Sequence, residues 1–209
     1  MALIYQGAEA DLYSGLWQGK KAVYKVRKPL EYRLPSLDTA IRRQRTIHEA
    51  EALEASKRAG VRSPHLFFVN VRDTTLVMEF IEGPRLKEIA DGPTTGIDRW
   101  FRLLGKDVAM LHRAGIMHGD LTTANVVCGP TRLTFLDFGL SLRTGRLEDH
   151  AVDLRLLKET LVGAHSKVAS MAMESVRLGY SKGLGPKRTA SVFGQLRSIE
   201  RRGRYARVD

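Results

Sequence analysis

Two short runs carry the residue types that phosphoryl transfer needs. The first is His118-Gly119-Asp120-Leu121-Thr122-Thr123-Ala124-Asn125, and twelve residues after Asn125 comes Asp137-Phe138-Gly139. Apolar residues flank both: Ile116 and Met117 before, Val126 and Val127 between, Leu133 to Leu136 ahead of Asp137. The pattern predicts a loop, a strand, a turn, a second strand and a tight glycine turn. Two carboxylates and one carboxamide then point into one cleft. Moving a phosphoryl group from ATP requires a carboxylate that accepts or orients the incoming hydroxyl, and hard oxygen ligands that hold Mg²⁺ against the phosphates. Asp120 is the candidate catalytic base, and Asn125 and Asp137 are the candidate metal ligands. Either run alone reads as an acidic surface turn. Both together, with the asparagine and the apolar flanks, do not.

Such a site also needs a cation on the phosphates and a carboxylate to hold that cation. Lys25 lies in Ala22-Val23-Tyr24-Lys25, a β-prone run, and Glu49 lies in a long helical pattern further on. An ion pair between them would turn the Lys25 amine toward the phosphates, so both join Asp120 as candidate catalytic residues. Glu51 is the alternative partner, but it is two positions on and faces another side of the helix. The turn over the phosphates would be Gln6-Gly7-Ala8-Glu9-Ala10. It has one glycine, and an ordinary turn explains it equally well. Gly7, Ala8 and Glu9 are its candidate nucleotide contacts. In Met78-Glu79-Phe80-Ile81, the Glu79 carbonyl and the Ile81 N–H are candidate adenine contacts.

These residues must be positioned by a particular order of elements. Residues 1–26 predict short strands with tight turns, and a helix follows from about Leu37 to Ala59, capped by Ser36 or Asp38 and closed at Gly60. Phe67–Val71 and Leu76–Ile81 predict a hairpin around Asp73 and Thr74. Gly83 and Pro84 break the pattern, after which helices are predicted at 97–114, 149–163, 165–179 and 186–200. The fold class is therefore α+β. A small β-rich lobe with one long helix, residues 1–82, precedes a reduced, mainly α lobe, residues 83–209, with a ligand cleft between them.

Composition narrows the class further. The chain has 209 residues, 43% hydrophobic and 27% charged, which is globular usage. No run suits a membrane span, and the first residues lack the basic flank of a signal peptide. One cysteine, Cys128, forms no internal disulfide, so a reduced cytoplasmic setting is expected. The formal net charge is +11, gathered at Arg27–Arg45 and Arg197–Arg207, which favours an anionic partner such as RNA. His112 and His165 are expected at the surface or in helix packing. Trp100, Phe101, Met171 and Met173 are expected in the core, and Cys128 as a half-buried thiol.

The whole set resembles the small atypical branch of the protein kinase superfamily, the PRPK-like kinase subunits of the KEOPS complex. The resemblance is carried by Lys25, Tyr32-Arg33-Leu34-Pro35-x-Leu37-Asp38, Arg45-Thr46-x-x-Glu49-Ala50, His118-Gly119-Asp120-Leu121-Thr122-Thr123-x-Asn125, Asp137-Phe138-Gly139-Leu140-Ser141 and Glu148-Asp149-x-Ala151-Val152-Asp153-Leu154. It implies a minimal two-lobed kinase-like fold, bound ATP and Mg²⁺, and serine/threonine kinase or ATPase activity. It also implies partnership with a larger metal-dependent threonylcarbamoyl-transferase subunit and other KEOPS subunits, in the modification of adenosine next to the anticodon of certain tRNAs. By the same resemblance Asp120 is the proton acceptor, Lys25 anchors ATP, Asn125 and Asp137 bind metal, and Asp153 braces the catalytic loop. Gly119 stands where ordinary protein kinases have an arginine that pairs with a phosphorylated loop. The short run from Asp137 to Asp153 leaves little room for a peptide groove. Arg27, Lys28 and Arg33 at the cleft mouth, and Arg197, Arg201, Arg202, Arg204 and Arg207, are expected to meet RNA phosphates. The competing readings are a small-molecule phosphotransferase of the aminoglycoside or choline kinase type, and a scaffold that binds ATP without using it.

Overall fold

The computed structural model describes residues 1–205, with side chains through Arg202; Arg207 and the Arg204 side chain lie outside the described residues. Five antiparallel strands open the chain: β1 (Ala2–Gln6), β2 (Ala10–Trp17), β3 (Lys20–Arg27), β4 (Leu66–Asn70) and β5 (Thr75–Glu79), in the order β1-β2-β3-β5-β4. Gln18 and Gly19 both hold positive φ, 48° and 78°, as a two-residue hairpin between right-twisted strands requires. The period of two in β3 puts Lys25 and Arg27 on one face, and both are buried.

Helix α1 (Pro35–Arg58) begins earlier than expected, with Pro35 in its first turn and no side-chain cap. Proline suits that position because its missing N–H has no helical partner there. Asp38, expected as a possible cap, is instead buried. Its carboxylate accepts from Arg42 Nε at 2.7 Å and from the Leu30 N–H at 3.4 Å, tying the preceding segment to the helix. Those contacts hold its carboxyl below the usual range, the Arg42 hydrogen bond first.

The second half contains α2 (Leu86–Asp91), α3 (Asp98–Arg113), β6 (Ile116–Met117), β7 (Val126–Cys128), β8 (Leu133–Phe135), β9 (Leu142–Arg143), α4 (Leu147–Ala164) and α5 (Ser166–Tyr205). β6 pairs with β9 and β7 with β8. The two helices expected at 165–179 and 186–200 are both present within α5, separated by a kink at Gly185 (φ 79°, ψ 164°) ahead of Pro186; the first runs a few residues longer than expected. It runs on to the kink, with Tyr180 fully buried on it and the glycines around it serving as contact points. A Cβ on Gly179 would lie 1.9 Å from the Arg102 carbonyl oxygen, and one on Gly105 2.0 Å from that of Val176. The lack of a side chain at these glycines is what lets α3 and α5 touch. No helix among the described residues is long and apolar enough to cross a membrane.

The main core is built by Phe101, Leu104, Val108 and Leu111 of α3 with Leu154, Leu157, Val176 and Leu196 of α4 and α5. Trp100 and Phe101 are in it, and Met171 and Met173 pack against it, as expected. Cys128 is fully rather than half buried, and burial pushes its thiol up to about 11. The sheet has only a small cluster of its own, Ala50, Leu76 and Met78. Ala52, Leu53 and Ala55 of α1, with Val61, belong to the core of the helical half. The Phe135 N–H in β8 donates to the Arg62 carbonyl at 2.8 Å. Fully burying each leucine or phenylalanine side chain contributes about 1.5–3 kcal/mol, so the seam between the halves is an apolar one of appreciable strength.

Candidate active site

The loop that carries Asp120 hangs between β6 and β7 and is held from below by one carboxylate. Asp153, on α4 and fully buried, accepts the His118 N–H at 2.6 Å and the Gly119 N–H at 2.9 Å. It also receives His112 Nε2 at 3.1 Å. Bonded to a carboxylate, Nε2 of His112 carries the proton, which leaves Nδ1 to accept from the Tyr180 hydroxyl at 2.8 Å. Burial pushes the Asp153 carboxyl up, but the His112 and His118 contacts outweigh it and hold it below its ordinary range. His118 is fixed in the same way. Its Nε2 donates to the Leu136 carbonyl at 3.0 Å, so Nδ1 accepts the Asp120 N–H at 3.3 Å. Gly119 holds φ +82°, and a Cβ there would sit 1.9 Å from the Leu140 carbonyl oxygen.

Asn125 closes the loop over Asp120. Its Nδ2 donates to the Asp120 carbonyl at 3.0 Å and to Asp120 Oδ2 at 2.8 Å. The Leu136 N–H donates to the Asn125 carbonyl at 2.8 Å, which anchors this turn beside Asp137. Asp137 itself adopts φ +53°. Its Oδ1 accepts from Lys25 Nζ at 2.7 Å and from the Gly139 N–H at 3.1 Å. Burial raises the Asp137 pKa; Lys25 more than reverses this, so the carboxylate stays ionised below its usual range.

Lys25 and Glu49 meet at 2.7 Å, both buried. Glu49 gives one oxygen to Lys25 and the other to Arg27. Burial alone pulls the Lys25 ammonium down, but Glu49 and Asp137 outweigh it and keep its pKa above normal. Glu51 is exposed, on another side of α1. A cavity of about 330 Å³ opens against Lys25, Asp120 and Asp137, and Gly7, Ala8 and Glu9 cover it. Glu79 and Ile81 do not line it. The Glu79 side chain is occupied by the His65 N–H at 3.1 Å and by Arg62 at 3.6 Å.

The first basic cluster is not the free surface expected of it. Arg27 is buried on Glu49, Lys28 pairs with Asp11 at 3.0 Å, and Arg33 reaches Glu9 at 3.3 Å. Arg45 also pairs with Glu9. Arg27 is buried, and a buried cation is costly without an acid; the other three are partly exposed and pair near the surface. Sequence reasoning placed Arg27 at the cleft mouth but gave it no part in the nucleotide site, and it missed Arg45 as a lining residue of the cavity. The signal was available: Arg27 lies two residues from Lys25 on a strand, and Arg45 four before Glu49 on a helix. His112 and His165 follow the helix-packing alternative rather than the surface one. Both are buried, and His165 joins Asp91 at 2.7 Å to the Thr123 hydroxyl at 3.0 Å, pinning the start of the turn that holds Asn125. No local pattern announces such partners, which are far apart in the chain.

Among the described residues, no three His, Cys, Asp or Glu side chains gather as a metal cage. Asp137 and the free Asn125 carboxamide oxygen fit Mg²⁺ instead, which takes one or two protein oxygens and completes its shell with phosphates and water.

His150 stacks on His112 with ring centroids 4.2 Å apart, and its Nδ1 has no partner. Burial, then the His112 ring, push it down to about 4. The unfolded chain therefore takes up a proton at pH 6.5 that the folded chain refuses until about pH 4. Stability is lost as pH falls through that window, up to about 3 kcal/mol at about 1.4 kcal/mol per pH unit. Asp107, raised by burial to about 6, titrates in the opposite sense. The check is the difference between the native chain and His150→Phe in urea unfolding from pH 7.5 to 4.5. The native chain is expected to lose more stability over that range, and parallel curves would overturn the assignment.

Comparison with known proteins follows the same geometry. The RIO domain family model matches residues 22–158. The KEOPS complex subunit Bud32 of Pyrococcus abyssi is 38% identical over 98% of this chain and 96% of its own length. The mouse EKC/KEOPS complex subunit Tp53rkb is 34% identical over 98% of this chain and 87% of its own. A probable bifunctional tRNA threonylcarbamoyladenosine biosynthesis protein of Methanobrevibacter smithii is 38% identical over 97% of this chain, which spans only 36% of that longer protein. Among solved structures, a Rio2 kinase-ADP/Mg²⁺-phosphoaspartate complex from Chaetomium thermophilum aligns with TM-score 0.64 at 15% identity, over 99% of this chain and 72% of that one. WaaP in complex with acyl carrier protein aligns with TM-score 0.68 at 14% identity, covering 98% and 88%. At such identities these two show the fold alone, a protein-kinase-like one.

Proposed function

We propose a function from one premise: the chain belongs to the RIO-domain family, within the group of KEOPS subunits of the Bud32 kind. From it we infer an ATP-dependent phosphotransferase or ATPase that works in the cytoplasm as the kinase subunit of a KEOPS assembly and supports threonylcarbamoyladenosine formation in tRNA. The observation that carries this reading is the convergence of Lys25, Asp120 and Asp137 on one cavity, each already held in place by a second charged or amide group. Bound Mg²⁺ would neutralise charge on the β- and γ-phosphates. Asp137 and Asn125 are the residues that would hold it. Lys25, kept cationic by Glu49, orients the phosphates. Asp120, fixed through Asn125 and the His118–Asp153 brace, takes the proton of an incoming hydroxyl or water. Gly7, Ala8 and Glu9 exclude solvent from above, and the Glu79 carbonyl and Ile81 N–H remain the proposed adenine contacts.

The serine/threonine preference belongs to this proposal, as do the larger metal-dependent threonylcarbamoyl-transferase partner and the other KEOPS subunits. So does tRNA binding. With the Arg27–Arg45 cluster largely committed to internal acids, RNA contact falls to α5, where Lys182, Lys187, Arg197 and Arg201 are exposed. Phosphate contacts of this kind weaken steeply with salt.

The test is γ-labelled ATP with Mg²⁺ and the purified chain, alone, with tRNA, and with recombinant KEOPS partners. Label on protein or released phosphate, raised by partners and tRNA, is the expected result. Transfer to amino alcohols or aminoglycosides with none of these would replace the reading by a small-molecule phosphotransferase. ATP binding without turnover under any condition would leave the scaffold reading.

A further inference from the structure

The turn above the cavity holds one glycine, and its backbone is already engaged. The Gly7 N–H donates to the Ala10 carbonyl at 3.0 Å, and the Glu9 carbonyl accepts the Lys28 N–H at 3.0 Å. A glycine-rich loop cradles phosphates with free N–H groups, and this turn offers fewer of them. Cations stand nearby instead. Arg27 lines the cavity beside Lys25, on the same face of β3, and is only 6% exposed. Its Nη2 lies 3.5 Å from where a Cβ on Gly139 would be, so the guanidinium reaches the glycine that follows Asp137 and Phe138. Its Nε has no hydrogen-bond partner.

The charges in this cluster also need an account. Lys25 and Arg27 share the single carboxylate of Glu49, and balance comes only from Asp137. If Asp137 turns its oxygens to a divalent ion, Lys25 and Arg27 face Glu49 alone, with one positive charge in excess. A buried, uncompensated cation is costly and attracts an anion. A structural ion pair with Glu49 would need only Lys25.

On the reading of the site as a nucleotide site, we propose that Arg27 is a second phosphate-recognising cation. It binds the polyphosphate directly and so takes over part of what the missing glycines do elsewhere. The ligand class follows: affinity rises with the number of phosphates and owes little to the nucleoside.

The test is equilibrium binding of adenosine, AMP, ADP and ATP by calorimetry, with and without Mg²⁺, on the full chain. The native chain is expected to bind more tightly along that series. Arg27→Met is expected to weaken ATP by about 10- to 100-fold and adenosine by less than about twofold, since bonds to charged groups carry that much. Arg27→Lys, which keeps the charge, is expected to recover most of the loss and guards against a variant that fails to fold. A role exercised only through Glu49 would look different. In the Glu49→Gln background, Arg27→Met would then change nothing, whereas direct contact predicts a further fall for ATP. Equal losses for adenosine and ATP, or no further fall in that background, overturn the proposal. If the native chain binds neither ATP nor adenosine, it is the nucleotide reading itself that fails.

Discussion

Asp120→Asn is expected to lower phosphoryl transfer or ATP hydrolysis by roughly 10²- to 10⁴-fold, the range a positioned base contributes. ATP affinity is expected to stay within about twofold, because the substitution preserves shape. Asn125 Nδ2 now donates to Asp120 Oδ2 at 2.8 Å, and an asparagine carboxamide oxygen can accept the same bond. The backbone contacts from Asn125 and His118 are untouched. What disappears is a full negative charge and the ability to take a proton. Single-turnover measurement with labelled ATP, beside equilibrium binding, separates the two effects. Equal turnover in both proteins would remove Asp120 from the mechanism.

Gly119→Ala is expected to be nearly as damaging, for a different reason. Positive φ costs an alanine about 1–2 kcal/mol. The added carbon would also lie 1.9 Å from a backbone oxygen that cannot swing aside as a side chain can. Either the loop moves, and Asp153 loses the Gly119 N–H, or the segment at Leu140 moves away from Asp137. We expect a loss of about 3 kcal/mol or more in stability, among the larger single-residue effects, and activity reduced along with it. Urea denaturation and a turnover assay decide it; an unchanged midpoint would show that the loop yields freely. The geometry also changes the meaning of the residue. From sequence, Gly119 is a missing arginine and so a missing response to a phosphorylated loop. In the fold, no side chain of any kind has room there while Leu140 stays where it is.

How much of this could be read from sequence depended on distance along the chain. The two motif runs, the Lys25–Glu49 pair and the long helix are short-range patterns with periods of two or 3.6, and the fold keeps all of them. Asp153 was reachable only through family likeness, since nothing near it hints at the loop it braces. His112, Tyr180 and His165 act through partners brought close by helix packing, so their residue types pointed only to generic helix positions. The part that the glycines of α5 play in the contact with α3 was not legible, because that contact exists only once the two helices have packed. The basic cluster misled because charge counts ignore pairing. Glu9, Asp11 and Asp38 lie within reach of those cations only after the strands and α1 have folded.

The shared seam around α1 has a further consequence. Ala52, Leu53, Ala55 and Val61 sit in the core of the helical half, and Arg62 is hydrogen-bonded to β8. The sheet-bearing half therefore shares its core with the helical half, and neither is expected to fold alone as a cassette. Recombination is expected to carry such a fold into a new gene only as the whole chain. Nor is α1 expected to swing in and out as a lever, since such a motion would open the core that both halves share.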